Sequence, residues 1–279
     1  LRTVTGVQTC ALPISMRILR YILLTLTFTT TLLFSNDLTQ EQINAYVDSL
    51  GFSEKYYNIH NVKKQKSAFI SELMPKIEAE NHKIEQEFFT ISQILEKSYF
   101  EMSHEDKMDL AKISKKYRIK NIYKKDAYRL HVAPIPTSLV LAQAALESAW
   151  GKSRFVREAN NIFGHWTYKG WGLVPKNRDF GKHHRLKIFK NLQASIAGYM
   201  LNLNRNRAYR EFQENRIKAI ESKGYYTGLE AAKTMIRYSE IGELYVTRLK
   251  SVIKGNKLSS YDAKKAGAYS PAALMASAW

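Results

Sequence analysis

The sequence predicts a mainly helical, α+β protein: an N-terminal helical extension followed by a second helical domain with a small β-hairpin lobe. Three observations predict it. Apolar residues recur at helical spacing through residues 62–96. A helix apolar on every face follows Pro134 and Pro136. Residues 160–190 then turn glycine- and aromatic-rich, with polar–apolar alternation from Arg185 to Phe189.

In chain order, Leu1–Ser15 precede the first methionine, Met16, show no periodicity and are read as a non-native leader (1–15). Residues 16–35 open with Arg17 and Arg20, continue through an uncharged run from Tyr21 to Phe34 and exit on polar residues. That pattern is a signal peptide, with a retained N-terminal membrane anchor as the alternative. Either reading exports the remainder to the periplasm or cell envelope. The helical extension spans 36–130. It comprises a short helix from Asn36 to Leu50, a long one from Val62 to Glu96 that Pro75 should kink or divide, and one opened by a Ser103/Asp106 capping box and running through Lys116.

The second domain, 131–256, begins with a helix from Ser138 to Trp150, with Thr137 or Ser138 as cap and Gly151 as stop. In the lobe, Lys169-Gly170 is turn-like. Leu192, Ile196, Tyr199, Met200 and Leu203 share one face of the next helix, and two more run over Leu229–Ile236 and Gly242–Lys254. The tail, 257–279, has no clear period from Ser259 onward and is read as loose or non-native.

Composition limits the chemistry. Cys10 is the one cysteine and precedes Met16, which removes disulfides, cysteine catalysis and cysteine-ligated zinc. The 43 Lys+Arg against 25 Asp+Glu leave a net charge of +18, which suits nucleic acid, an anionic membrane or an anionic cell wall. Export argues against nucleic acid. His165, His183 and His184 lack a helical His-x-x-x-His pair or a carboxylate at ligand spacing, so no metal is expected. No cofactor is expected either, and oligomeric state leaves no mark on the sequence.

Glu147 is the one ionisable side chain between His131 and Lys152, set in the most apolar helix. Gln143 lies one turn back on the same face. Burial among apolar neighbours raises a carboxyl pKa, because water no longer stabilises the anion. An acid still protonated near neutral pH is what protonation of a glycosidic oxygen requires. The alternative is an internal ion pair with Arg154 or Arg157. The aromatics Trp166, Tyr168 and Trp171, near Asn160 and Asn161, suit a cleft that stacks on sugar faces; they equally suit the core of a small lobe.

The run Leu141-Ala142-Gln143-Ala144-Ala145-Leu146-Glu147-Ser148-Ala149-Trp150-Gly151-Lys152-Ser153, followed by Asn160-Asn161-Ile162-Phe163-Gly164, resembles the signature of the family-73 glycoside hydrolases, in particular their Bax-like branch. Tyr238-Ser239-Glu240-Ile241-Gly242-Glu243-Leu244-Tyr245 resembles the C-terminal tyrosine motif of that branch, so the resemblance covers about residues 65–256. It implies a lysozyme-like fold and an endo-β-N-acetylglucosaminidase acting on peptidoglycan glycan strands. By the same resemblance Glu147 is the general acid and Tyr238 lines the active site. Asn161, Phe163 and Gly164 close the cleft, with a pure turn role for Asn161 and Gly164 as the alternative. Gln143, Trp166 and Tyr168 join the substrate-binding set.

One departure stands out: Arg185, after His184, occupies a place where relatives often carry a second acid. Either Asp179 replaces that group, or the substrate's own N-acetyl oxygen serves as nucleophile. Two other readings remain: a lytic transglycosylase or muramidase on the same fold, and a non-catalytic peptidoglycan-binding envelope protein.

Overall fold

The long helix of the extension is set by its apolar stripe. In the computed structural model, which describes residues 51–168, 172–175 and 184–262, a short α1 (Glu54–Tyr57) precedes α2 (Val62–Glu96). Helix α2 buries Phe69, Leu73, Ile77, Ile84, Phe88 and Ile91 on one face. Pro75 does not divide it. The proline forfeits one backbone bond, to the Ser71 carbonyl, at a cost of about 3 kcal/mol. Leu73 and Ile77, both fully buried, anchor the helix on either side, and each such side chain contributes roughly 1.5–3 kcal/mol.

Helix α3 (His104–Tyr117) starts at the expected capping box, Ser103 and Asp106 each bonding the other's backbone N–H. Helix α4 (Lys125–His131) leads into the proline segment, which is pinned from two sides. The Asn81 side chain, on α2, both donates to and accepts from the Ile135 backbone, at 2.9 and 2.8 Å. The fully buried Arg216 guanidinium donates to the carbonyls of Leu130 and Ala133, each at 2.9 Å. These bonds satisfy a buried irregular segment that has no ladder of its own.

The apolar helix α5 (Thr137–Ser148) comes next, then α6 (Arg154–Ala159). Strands β1 (Trp166–Thr167), β2 (Gly172–Leu173) and β3 (Arg185–Lys187) form an antiparallel sheet in the order β1-β3-β2. The late strand β3 therefore separates the two early ones, and β1 and β2 do not pair as a simple hairpin. Helices α7 (Leu192–Arg205), α8 (Arg210–Lys223), α9 (Gly228–Lys233) and α10 (Glu243–Gly255) complete the fold, with short 3-10 turns at Arg207–Tyr209, Met235–Arg237 and Leu258–Tyr261. This is a mainly α, lysozyme-like architecture with a small β-lobe. One hydrophobic cluster runs from Phe52 through α2, α5 and α7 to Leu258, so the extension shares its core with the helices after residue 130.

Two helix ends differ from expectation. Neither Thr137 nor Ser138 caps α5 with its side chain; Pro136 is the cap residue. Instead the Ser138 N–H and hydroxyl donate to the two carboxylate oxygens of Asp262, at 2.9 and 2.6 Å. Asp262 also accepts the Gly228 N–H at 2.9 Å, so one remote carboxylate serves the N-termini of α5 and α9, where the helix dipole favours negative charge. The opening of the expected tail is thus part of the core. Helix α5 also stops at Ser148 rather than Trp150, because Ala149, Trp150 and Gly151 all take left-handed backbone, with φ of 49°, 55° and 77°.

Residues 1–50, with the expected leader, signal or anchor segment and the Asn36–Leu50 helix, lie outside the described residues, as do Lys169-Gly170, Trp171, Asp179, His183 and the tail from residue 263. Among the described residues no helix is long and apolar enough to cross a membrane.

Candidate active site

Helix α5 carries Glu147 on its last turn. Leu139–Ala145 are buried, whereas Glu147 is half-buried at the point where the helix surfaces. The turn from Ala149 to Gly151 is strained: non-glycine residues in left-handed conformation cost about 1–2 kcal/mol each. Local and remote bonds hold it. The Ser148 hydroxyl accepts the Gly151 N–H at 2.7 Å, and its carbonyl accepts the Ser153 N–H at 2.9 Å. The Trp150 carbonyl accepts from the Tyr56 hydroxyl and, at 3.0 Å, from Gln65 Nε2. The Trp150 ring stands edge-on to Phe69 at 5.4 Å. The extension, which showed no chemistry in the sequence, is packed directly against the turn behind the acid.

The carboxyl itself meets a tyrosine. Tyr245, on α10, donates its hydroxyl to Glu147 Oε1 at 2.8 Å. The Tyr245 oxygen accepts from Gln143 Nε2 at 2.9 Å, and Gln143 Oε1 accepts from the Tyr199 hydroxyl. Aromatic rings fill the space around these bonds. Tyr238 stacks on Tyr245 at 5.4 Å and meets Tyr199 edge-on at 6.4 Å; Phe163 stacks on Tyr199 at 3.9 Å.

Burial raises the Glu147 pKa above the ordinary carboxylate value, and the Tyr245 hydrogen bond partly offsets it. Neither suspected arginine supplies a counter-charge. Arg154 pairs with Glu158 at 2.9 Å, and the Arg157 guanidinium lies over the Tyr57 ring at 4.1 Å. Tyr245 is itself held protonated, chiefly by burial and then by the Glu147 charge. Burial, then the neighbouring tyrosines and Glu147, does the same for Tyr238. These phenols are therefore hydrogen-bond donors and not bases. The site thus holds a carboxyl whose pKa burial raises, a shift in the direction that favours proton donation.

The other sequence-predicted residues divide into those turned inward and those left open. Asn161 is buried: its amide donates to the carbonyls of His165 and Lys187, at 2.9 and 2.8 Å, and accepts the His165 N–H at 2.9 Å. It binds the loop after α6 to strand β3. Gly164 takes φ of 65°, with open space where a Cβ would stand, so the backbone angle and not crowding calls for glycine. Gln143 is fully buried. Trp166 and Tyr168 are exposed, at 52% and 80%, and Trp166 lies against His184 at 4.0 Å. Burial, then the Lys187 charge, lowers the His165 pKa to about 4. Among the described residues no three His, Cys, Asp or Glu side chains are grouped to hold a metal ion.

Tyr238, the tyrosine singled out by resemblance, adjoins the acid, but the hydroxyl that reaches Glu147 is that of Tyr245. Both fall in the same motif, at its two ends. Sequence reasoning assigned no role to Tyr245 or Tyr199. The signal available was that Tyr199 and Tyr245 each lie on the apolar stripe of a helix where a leucine would pack as well.

The scaffold is lysozyme-like, and the family to which the chain belongs makes it a glycoside hydrolase. A family model described as glucosaminidase, mannosyl-glycoprotein endo-β-N-acetylglucosaminidase, matches residues 120–258, and the chain belongs to that family. It is 30% identical over 199 residues to Protein bax of Escherichia coli (strain K12), covering 69% of this chain and 70% of that protein. No solved structure gives a significant match.

Proposed function

We propose that this chain hydrolyses the β-N-acetylglucosaminyl bond of peptidoglycan glycan strands, with Glu147 as the general acid. The observation that carries this reading is the half-buried Glu147 carboxyl, its pKa raised by burial and one of its oxygens held by Tyr245. Glu147 protonates the leaving glycosidic oxygen as the C–O bond breaks, and water adds to the oxocarbenium-like carbon. Either Asp179 takes the proton of the attacking water, or the substrate's own N-acetyl oxygen bonds to that carbon first and water then opens the resulting ring, its proton returning to the Glu147 carboxylate. Trp166 and Tyr168 offer exposed rings on which sugar faces stack. The +18 charge holds the enzyme to an anionic wall, so binding weakens as salt rises. The basic start and apolar run before Ser35 support export to the cell envelope.

The test is digestion of purified peptidoglycan by the native protein beside Glu147→Gln, with reducing ends and fragment masses read. Native fragments ending in reducing GlcNAc, with a loss of about 10²–10⁴-fold in the variant, are expected. Anhydro-muramyl ends would instead indicate a lytic transglycosylase. Asp179→Asn with unchanged turnover would remove Asp179 from the mechanism. A second reading rests on Arg185, exposed on β3 where relatives often have an acid: a protein that binds glycan without cutting it. It predicts wall binding by both native and variant chains and cleavage by neither.

A further inference from the structure

The hydrogen bonds behind Glu147 have a direction, and it is set two residues away from the acid. The Tyr245 oxygen has two polar neighbours, Glu147 Oε1 at 2.8 Å and Gln143 Nε2 at 2.9 Å. An amide nitrogen donates and does not accept. The Tyr245 oxygen therefore accepts from Gln143, and its single proton points at Glu147. The Gln143 amide could satisfy one tyrosine either way round, but Tyr199 removes that freedom. Tyr199 is fully buried and its hydroxyl donates to Gln143 Oε1. Turning the amide over would leave that buried proton without this acceptor, a penalty of about 1–3 kcal/mol for such a group.

We infer that Gln143 and Tyr199 are positioning residues which, through Tyr245, fix the acid proton of Glu147 on Oε2. The chain Tyr199→Gln143→Tyr245→Glu147 delivers a phenol hydrogen bond to Oε1, so that oxygen serves as acceptor and the transferable proton resides on its partner. Each donation into the next group polarises it, so loss of the first bond weakens the last. Gln143 has no exposed surface through which to touch glycan; its influence on the reaction passes through the tyrosine. Tyr199 in turn is braced by Phe163, stacked on it at 3.9 Å with an interplanar angle of 9°. That gives the Asn161-Ile162-Phe163-Gly164 motif a mechanical link to the acid. The inference rests on Glu147 being the general acid, and it is tested by a measurement that does not need catalysis.

Tyr199→Phe removes the hydroxyl and keeps the ring on Phe163; Gln143→Leu removes both polar atoms of the amide. In each, the Glu147 carboxyl is titrated by ¹³C NMR on glutamate-labelled protein, its signal identified by loss in Glu147→Gln, and kcat and KM are measured on glycan strands. Because a hydrogen bond to the ionised form lowers a carboxyl pKa, both variants are expected to titrate Glu147 at higher pH than the native chain. Turnover is expected to fall roughly tenfold with KM unchanged. Should Gln143→Leu fail to fold, Tyr199→Phe carries the test alone. An unmoved Glu147 titration in Tyr199→Phe overturns the inference, whatever happens to turnover; a raised KM with unmoved titration would make Gln143 a substrate contact instead. A moved titration in a protein whose native form cuts no glycan would keep the relay and discard the glycosidase reading.

Discussion

The hydroxyl of Tyr245 lies 2.8 Å from Oε1 of Glu147, joining residues 98 positions apart in the chain. The bond opposes burial: desolvation raises the acid's pKa and the phenol proton lowers it. Tyr245→Phe keeps the stack on Tyr238 and removes that opposition. The alkaline limb of the pH–rate profile is therefore expected to move to higher pH, with turnover lowered about tenfold through lost orientation. Tyr238→Phe, whose hydroxyl makes no such bond to the acid, should leave the limb nearer its native position. Profiles of kcat for the two variants side by side check the assignment; a larger displacement from Tyr238→Phe would reverse it.

The same burial makes the acid a liability to the fold. Its folded pKa stands above the unfolded value, so the folded state holds the proton more tightly. Stability is then highest below the unfolded pKa of about 4.5 and is lost as pH rises through the raised folded value. Glu147→Gln retains an oxygen to accept from Tyr245 and removes the buried charge. Its melting temperature at neutral pH is expected to exceed the native one by roughly 2–4 °C. The gain should vanish at about pH 4 and below, which a series of thermal melts across pH will show.

The turn behind Glu147 is clamped by the extension. A Cβ on Gly151 would stand 2.9 Å from Phe52 Cε2 and 3.2 Å from the Tyr56 hydroxyl, at a φ of 77° that already disfavours L-residues. Gly151→Ala is expected to cost about 2–4 kcal/mol in denaturant unfolding. Tyr56→Phe is milder: it removes one of the bonds to the Trp150 carbonyl while Gln65 keeps the other, for a cost of about 1 kcal/mol. Both should depress turnover more than their stability loss accounts for, because the strained turn adjoins the acid.

Asp262 supplies from far along the chain the side-chain cap that α5 lacks locally, and adds a bond at the start of α9, which Thr227 already caps. Asp262→Ala strips three donors of their acceptor at the starts of α5 and α9. A loss of about 2–3 kcal/mol is expected, at the upper end of single cap deletions, and equilibrium unfolding measures it.

Much of this molecule was legible in the sequence because the relevant information is local. The stripe from Phe69 to Ile91 defines α2, the Ser103/Asp106 pair defines the start of α3, and the face from Leu192 to Leu203 defines α7. In each, the residues that specify the element recur every one or two turns along the chain. Glu147 was legible for a related reason: one acid in an apolar helix is conspicuous without knowledge of its neighbours.

Tertiary structure decided the rest. Which tyrosine reaches the acid depends on how α10 rotates against α5, and both Tyr238 and Tyr245 satisfy the same local pattern. That Asp262 caps a helix whose start lies 124 residues earlier has no local trace. Helix α5 stops short of Gly151 because bonds from Tyr56 and Gln65 reward a left-handed turn that its own sequence disfavours. Pro75 stays inside α2 because side chains on either side are buried in the core shared with α5 and α7. Sequence by itself determined the periodic elements and marked out the one acid of the apolar helix. Long-range packing determined that acid's environment, because burial, hydrogen-bond direction and backbone strain are properties of contacts between segments distant in the chain.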